Sequence, residues 1–128
     1  MVELRPRNSY RPDDAWVWDG RELRPKTSYK PDDAWVFDGK ELRPKTSFKP
    51  DDAWVFDGKE VRPKRSYRPA DTWVWEKGVL RPKTSFKHSD AWSWDGRELS
   101  PRGSGQPYVA SGDIPVPVVA LIVIGVIR

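Results

Sequence analysis

The 128-residue chain has no cysteine and one histidine, and only 37% of its residues are hydrophobic. Without cysteine, neither a disulfide framework nor a thiolate metal site can form. The opening residues, Met-Val-Glu-Leu-Arg, contain no apolar run, so we expect no secretory signal peptide. Eight tryptophans offset the low hydrophobic content, because each can bury a large apolar area. These features favour a small tryptophan-rich domain that folds without disulfides.

The residue pattern repeats every 19 positions. A short fixed period indicates one supersecondary unit copied in series, with each copy burying its apolar face against its neighbours. Such a pattern argues against an enzyme, because a catalytic site needs unlike residues that converge at one place. The repeated positions are Trp16, Trp35, Trp54, Trp73 and Trp92; Leu4, Leu23, Leu42, Val61, Leu80 and Leu99; and Pro6, Pro25, Pro44, Pro63, Pro82 and Pro101.

Most copies contain Asp-Gly between two runs of strand-forming residues. This dipeptide is typical of a two-residue type I′ turn, which would place Phe37 opposite Lys40 and Trp35 opposite Leu42. Because side chains alternate along a strand, Trp35, Phe37 and Leu42 would share one aromatic face. The copy at residues 76–78 reads Glu-Lys-Gly instead, which predicts a different turn or a bulge.

Linkers with proline near both ends join the hairpins, and each carries an aromatic residue that we expect in the core or covering its rim. An aspartate near the end of each linker, such as Asp52, is expected to form an Asx-turn or a hydrogen bond to a backbone N–H or an arginine. Paired carboxylates such as Asp51 and Asp52 lack the alternating ligand spacing of a calcium loop, so no metal site is predicted. The linker aromatics are Tyr10, Tyr29, Phe48, Tyr67 and Phe86.

The sequence therefore predicts an all-β fold: five tandem 19-residue β-hairpins in a closed or nearly closed, flower- or propeller-like ring, plus a C-terminal hydrophobic segment. Residues 1–102 would form the hairpin repeat domain, residues 103–113 a linker, and residues 114–128 an anchor or docking segment. The chain begins with half a unit, so the N-terminal strand should find a partner near the last hairpin. Closure would remove exposed strand edges. A short open stack is the alternative.

The motif Trp-x-(Trp/Phe)-Asp-Gly-(Lys/Arg)-x-Leu-Arg-Pro-Lys, present at residues 16–26 and 35–45, resembles the repeat of the bacterial four-fold β-flower family. The resemblance covers residues 2–102 and implies hairpins that radiate about a central axis lined with apolar and aromatic residues. It implies a fold rather than an activity. This chain has five tryptophan hairpins instead of four. The choline-binding repeat of bacterial surface proteins is similar in length but carries an aromatic pair where this chain has Leu-Arg-Pro.

The composition changes at Gly103, and residues 114–127 are all uncharged. As a helix they would span about 21 Å, short of the roughly 30 Å of bilayer hydrocarbon. Their valine and isoleucine content also allows a strand. We expect this segment to contact a membrane or a membrane protein complex, with packing inside the protein or an oligomer as the alternative. The expected contact residues are Ile114, Val116, Val118, Val119, Leu121, Ile122, Val123, Ile124, Val126 and Ile127.

We expect a non-enzymatic structural or interaction module on the cytoplasmic side of a membrane, peripheral or C-terminally anchored, with no cofactor and no catalytic residue. No nucleophile–base pair or phosphate-binding glycine loop is present, and His88 replaces a linker proline, as a surface residue would. Nucleic acid is not an expected partner, while a homo-oligomer stays open. The alternative is a binding protein for a slender hydrophobic or amphiphilic ligand among Trp16, Trp18, Trp35, Phe37, Trp54, Phe56, Trp73, Trp75, Trp92 and Trp94.

Overall fold

A computed structural model of the chain describes residues 1–124. Over this range the chain forms a closed antiparallel barrel with one α-helix, α1 (Val116–Ile124), packed in its interior. Five linkers each contain a three-residue 3₁₀ helix. The prediction of a closed ring of repeated hairpins is confirmed. The strands are Val2–Pro6 (β1), Trp16–Trp18 (β2), Glu22–Pro25 (β3), Trp35–Phe37 (β4), Glu41–Pro44 (β5), Trp54–Phe56 (β6), Glu60–Pro63 (β7), Trp73–Glu76 (β8), Val79–Pro82 (β9), Trp92–Trp94 (β10), Glu98–Pro101 (β11) and Tyr108–Ala110 (β12).

Five hairpins follow the 19-residue period. A sixth pair of strands is formed by β1 and β12, the first and last strands in the sequence. Strand β12 pairs with β1, with Tyr108 opposite Pro6, and it also pairs with β11, with Tyr108 opposite Leu99. We expected residues 103–113 to be a linker, whereas the structure places a strand within them. Without β12, the edges of β1 and β11 would be left unpaired. Tyr108 therefore occupies the position that tryptophan holds in the other five units.

The pairing within each Asp-Gly hairpin differs by two residues from the pairing that the sequence predicts. Phe37 lies opposite Leu42 rather than Lys40, and Trp35 lies opposite Pro44 rather than Leu42. A shift of two residues preserves the alternation of side chains, so Trp35, Phe37 and Leu42 still share one face. That face points into the barrel, where all three residues join the core.

The aspartate side chain is the cause of this shifted turn. The Asp38 N–H donates to the Glu41 carbonyl oxygen at 3.2 Å, while Asp38 Oδ1 accepts from the N–H groups of Lys40 and Glu41 at 2.9 and 2.8 Å. Only Gly39 has a positive φ in this turn, at 100°, whereas a type I′ turn needs two such residues. The carboxylate takes over the hydrogen bonds that a backbone carbonyl makes in the simpler hairpin.

The fourth hairpin lacks this aspartate and differs from the others, as its sequence predicts. Glu76 lies opposite Val79, and the two residues between them, Lys77 and Gly78, have φ values of 52° and 80°. Two successive positive φ values match the type I′ pattern. The turn type that we expected for the Asp-Gly copies thus occurs in the one copy that lacks the dipeptide.

Replacing Asp38 by alanine is expected to lower the free energy of unfolding by about 1 kcal/mol, because two backbone N–H groups lose their acceptor. The hydrogen bonds from Glu41 and Lys40 hold the pKa of Asp38 below its ordinary value. A carboxyl whose pKa is lower in the folded state stabilises the fold above its unfolded pKa, and this contribution disappears as pH falls through the folded pKa. Urea unfolding should therefore show the full difference at pH 7 and a shrinking one below about pH 4.

The control for this substitution is Lys40→Ala, which removes an exposed side chain from the same turn and should cause no such pH dependence. A difference between Asp38→Ala and the unchanged protein that is equally large at pH 7 and at pH 2 would contradict the role assigned to the carboxylate.

Six inward-pointing residues form a ring of aliphatic side chains around α1. Each comes from the same position of its unit, and none is more than 1% exposed. They pack against helix residues that include Val118, Val119 and Leu121, which are fully buried. Because the barrel surrounds the helix, α1 is apolar on every side instead of amphipathic. The ring consists of Leu4, Leu23, Leu42, Val61, Leu80 and Leu99.

Ion pairs between adjacent units cross the outer wall. Lys26 Nζ lies 2.8 Å from Glu3 of the preceding unit, and Arg7 lies 3.2 Å from Glu98, which extends the series across the two ends of the chain. Exposed pairs of this kind contribute about 0–1 kcal/mol each. The wall therefore presents a polar surface with little net charge. The remaining pairs of the series are Lys45–Glu22, Lys64–Glu41 and Lys83–Glu60.

The two ends of the barrel differ in what they present. The tight turns lie at one end, which we call the turn end. The linkers at residues 6–15, 25–34, 44–53, 63–72, 82–91 and 101–107 lie at the other, which we call the linker end. Strand β12 runs toward the turn end, where the Ser111 N–H donates to the Glu3 carbonyl oxygen at 2.9 Å. The chain therefore enters the barrel from the turn end.

Candidate interaction surfaces and the barrel interior

The ten aromatic residues predicted to hold a ligand all line the barrel interior. Each unit supplies two of these aromatic residues. The first begins the first strand of the hairpin and lies toward the linker end, and the second lies two residues later, toward the turn end. Trp18 and Trp94 are buried, and the other eight are partly buried against the core. They are Trp16, Trp18, Trp35, Phe37, Trp54, Phe56, Trp73, Trp75, Trp92 and Trp94.

The interior that these aromatics surround is filled by the chain's own helix. Pro117 and the five residues that follow it are buried in the same core as the aromatic rows. A hydrophobic ligand placed among the aromatics would therefore have to displace α1. The arrangement explains why the aromatic rows and the C-terminal segment are both so apolar, since each supplies the apolar surroundings of the other.

Most residues expected to contact a membrane lie inside the barrel instead. Of these residues, five are buried and three are partly buried against the core. Within residues 1–124, no helix has the length and apolar character that crossing a bilayer requires. The buried five are Ile114, Val118, Val119, Leu121 and Ile122, the partly buried three are Val116, Val123 and Ile124, and Val126 and Ile127 lie outside the described residues.

Tyr108 completes the ring of aromatics at the linker end of the interior. Its ring centroid lies 6.5 Å from that of Trp16 and 6.4 Å from that of Trp92, which come from the two neighbouring units. These separations are within the range in which aromatic pairs attract one another. Sequence reasoning missed this residue because it lies outside the 19-residue register. The sequence did contain one signal for it. Tyr108 is followed by valine, and in four of the five repeat units the corresponding tryptophan is also followed by valine.

The linker aromatics lie on the surface, contrary to the prediction that they fold into the core or cover its rim. Each is 81–83% exposed. The reason is the arginine that precedes each of them by five positions. This arginine follows an inward-pointing leucine or valine on the strand, so it points outward and holds its aromatic partner outside the wall. The five aromatics, which we call the rim rings, are Tyr10, Tyr29, Phe48, Tyr67 and Phe86.

One copy shows how the arginine fixes the linker. The Cζ atom of Arg43 lies 4.2 Å from the centroid of the Phe48 ring, which is a cation–π contact. Arg43 Nη1 also donates to the carbonyl oxygens of Pro44, Lys45 and Ser47 at 3.1–3.2 Å. The guanidinium therefore contacts three backbone carbonyl oxygens and one aromatic ring of the same linker. The same contacts recur in the other four copies.

The aspartate near the end of each linker accepts a hydrogen bond from a serine. Ser47 Oγ donates to Asp52 Oδ2 at 2.7 Å, and the N–H of Lys49 donates to Ser47 Oγ at 3.2 Å. We expected a backbone N–H or an arginine as the partner, and the structure supplies a hydroxyl instead. Because the serine directly precedes the rim ring and the arginine contacts one face of that ring, the linker holds the ring in a defined position.

The linker end also carries the excess charge of the protein. The six linkers hold twelve lysines and arginines and eight aspartates, an excess of four that equals the net charge of +4. The first three linkers are each neutral, so the excess lies in the last three. In addition, a basic residue directly follows every rim ring. These residues are Arg11, Lys30, Lys49, Arg68 and Lys87.

The remaining surface offers little that resembles a catalytic or metal site. Among residues 1–124, no group of three histidine, cysteine or carboxylate side chains could hold a metal ion. His88 is exposed at the start of a short 3₁₀ helix in its linker. An open groove of about 560 Å³ runs along β1 and β12, away from the aromatic rows. It is lined by Met1, Glu3, Arg5, Val109, Ala110 and Ser111.

No protein-family model, curated protein or solved structure matches the chain. Its function is therefore inferred from the geometry of the molecule.

Proposed function

We propose that the chain is a non-enzymatic interaction module that works at the surface of a membrane or membrane protein complex, while its own helix α1 fills the barrel. The observation that carries this proposal is the division of apolar residues between two places. The inward aromatics and the aliphatic ring are used for packing around α1, whereas the five rim rings stay in solvent. A partner would therefore bind outside the barrel.

The rim rings support a membrane as that partner. Apart from Met1, they are the large hydrophobic residues that stand exposed in the described part of the chain. Tyrosine and phenylalanine have a large apolar ring, and at membrane–water interfaces such rings leave water while nearby polar groups stay hydrated. The absence of cysteine is compatible with a cytoplasmic location, which we keep as part of the proposal.

The absence of native cysteine allows a direct test on the full chain. We would introduce Val119→Cys, a modest change in volume at a fully buried position of α1, and measure thiol labelling with and without lipid vesicles. We expect the protein to sediment with vesicles and Cys at position 119 to stay unreactive in both states. The matched control is Lys40→Cys, at an exposed turn, which should react in both states.

Two results would contradict the proposal in different ways. If the protein stays in the supernatant with every vesicle composition, a membrane surface is not its partner. If position 119 becomes reactive toward a lipid-soluble reagent only on vesicles, α1 leaves the barrel and enters the lipid.

Insertion of α1 into lipid is the second candidate function, and the composition of the helix favours it. Every side chain of α1 is apolar, so the barrel holds it by apolar packing, which lipid could also provide. Nine helical residues span about 13 Å, so the inserted helix would anchor the protein to one face of a bilayer. The labelling experiment separates this function from the first one.

We also infer from the repeated motif at residues 16–26 and 35–45 that the barrel is related to the four-fold β-flower repeats. Hairpins arranged about a central apolar axis support this relation. The number of units differs, since six hairpins close this barrel.

A further inference from the structure

We propose that the linker end is the membrane-docking face, and that its aromatic–basic pairs bind an anionic lipid surface. The proposal rests on the proposed function and adds the face, the residues and the lipid charge. Each pair consists of a rim ring and the basic residue that follows it. The pairs are Tyr10–Arg11, Tyr29–Lys30, Phe48–Lys49, Tyr67–Arg68 and Phe86–Lys87.

The positions of the rim rings suit a flat, extended partner. Each ring lies four residues after the proline that ends its strand, so all five stand at the linker end, one in each of five units. Rings spaced around a closed barrel cannot all face one small ligand. A surface that meets the linker end can contact several rings at once. Several weak contacts made simultaneously give a much higher overall affinity than one contact alone.

The contacts within each linker prepare the rings for binding. The arginine beneath a ring covers one of its faces and leaves the ring more than four-fifths exposed. Because the serine–aspartate hydrogen bond and the three carbonyl contacts already order the linker, little further ordering is needed when the ring enters the lipid interface. Tyrosine occurs at this position in three copies and phenylalanine in two, so the hydroxyl group is dispensable and the apolar ring is the shared feature.

The charge distribution selects an anionic surface. The last three linkers hold six basic and two acidic residues. Lys64 and Lys83 pair with Glu41 and Glu60 of the wall, so four basic residues remain against the two acidic ones and keep this side of the linker end positive. Among them, Arg68, Lys87 and Arg102 are exposed, so their cations can reach headgroup phosphates or carboxylates. A basic residue near an anionic leaflet strengthens membrane binding. The wall and the turn end carry no comparable excess.

A single-stranded nucleic acid would also offer negative charge and flat groups for the rings. A strand that wrapped the rim, however, would cross three linkers that have no net charge, and phosphate contacts dominate such binding. Rings that enter lipid need no cation beside each contact. The observations therefore favour the membrane, and nucleic acid becomes an outcome of the test.

The first measurement places an environment-sensitive dye at either end of the full chain. Thr46→Cys labels the linker end and Lys40→Cys labels the turn end, and both sites are exposed. The probes are vesicles of phosphatidylcholine with and without a fraction of phosphatidylserine. We expect the dye at position 46 to shift to shorter wavelength on vesicles that contain phosphatidylserine and the dye at position 40 to stay unchanged.

The second measurement removes three rim rings together. The variant Tyr29→Ser, Phe48→Ser and Tyr67→Ser should lower vesicle partitioning about tenfold or more, because the apolar area that enters the lipid is lost. The matched control, Arg21→Ser, Lys40→Ser and Lys59→Ser, removes three cations from the turn end and should change partitioning much less. Near-ultraviolet circular dichroism of the buried tryptophans checks that both variants keep the fold.

The results separate this proposal from the proposed function. If the unchanged chain does not bind any vesicle, the linker-end proposal is overturned together with a membrane surface as the partner, and of the proposed function only a membrane protein complex remains as the partner. If it binds but the dye at position 40 responds, or the three-ring variant binds as well as the control, the membrane function stands and the linker-end face is wrong. If it binds an oligothymidine instead of vesicles and the three-ring variant does not, the rim rings serve nucleic acid and the lipid proposal is overturned.

Discussion

A chain that ends at Asp113 is expected to lose its cooperative unfolding transition, although it keeps all twelve strands. The deletion removes α1 together with Ile114, and five of the lost side chains, those of Pro117, Val118, Val119, Ala120 and Leu121, are fully buried. Burial of one large aliphatic side chain stabilises a fold by roughly 1.5–3 kcal/mol. Several such losses are comparable with the total stability of a small domain, about 5–15 kcal/mol.

Part of this loss is offset, because the deleted residues no longer have to be ordered. The barrel nevertheless keeps an apolar interior that must fill with water or collapse. We would record near-ultraviolet circular dichroism and urea unfolding of the truncated chain, and compare them with Leu121→Ala in the full chain. That single change should cost about 2–5 kcal/mol and leave the transition cooperative. A truncated chain with an unchanged unfolding midpoint would show that α1 is not part of the core.

The truncation point matters for this experiment. A chain that ends at Gly103 would also lose β12, so it would remove the closing strand and the helix at the same time. Ending at Asp113 separates the two contributions. If the truncated barrel folds and its tryptophan emission responds to an added amphiphile while that of the full chain does not, the emptied interior can bind a slender hydrophobic ligand.

Replacing Tyr108 by alanine is expected to lower the free energy of unfolding by about 3 kcal/mol. The ring packs between Trp16 and Trp92 and belongs to the strand that joins β1 to β11. Its loss leaves a cavity at the one place where the barrel closes between distant parts of the chain. Urea unfolding followed by tryptophan fluorescence would measure the change.

The matched control is Tyr108→Trp, which places the repeat's own residue at the sixth position. We expect this variant to unfold close to the midpoint of the unchanged protein, because the other five units already accommodate tryptophan there. If alanine and tryptophan at position 108 give the same stability, the sixth position is not equivalent to the other five.

The residues that point into the barrel were predictable, because every second side chain along a strand lies on the same face. The observed pairing is shifted by two residues, so the centre of the turn lies one residue later than predicted. Trp35, Phe37 and Leu42 nevertheless share one face. The turn itself was not predictable from Asp-Gly, because the Asp38 carboxylate competes with the backbone for the N–H groups of Lys40 and Glu41. Side-chain hydrogen bonds of this kind depend on geometry that a dipeptide preference does not contain.

The rim rings show a different limit. We expected the aromatic residue of each linker in the core or covering its rim, and this expectation failed for all five copies. Each ring is held outside by an arginine five residues earlier, a spacing that is visible in the sequence but acquires meaning only when the strand direction is known. The basic residue after each ring was also visible, and it now marks the candidate docking face.

The sequence by itself determined the repeating hairpin, the aromatic interior and a closed ring, because a 19-residue period and side-chain alternation leave few other ways to bury the same face of every copy. It also determined that residues 114–127 need apolar surroundings. Only the tertiary structure decided where those surroundings are. A segment of this composition can be buried equally well in lipid and in a barrel lined with leucine and tryptophan. The location of α1 therefore depended on strand β12. This strand closes the barrel and brings the chain to the turn end, where the barrel opens.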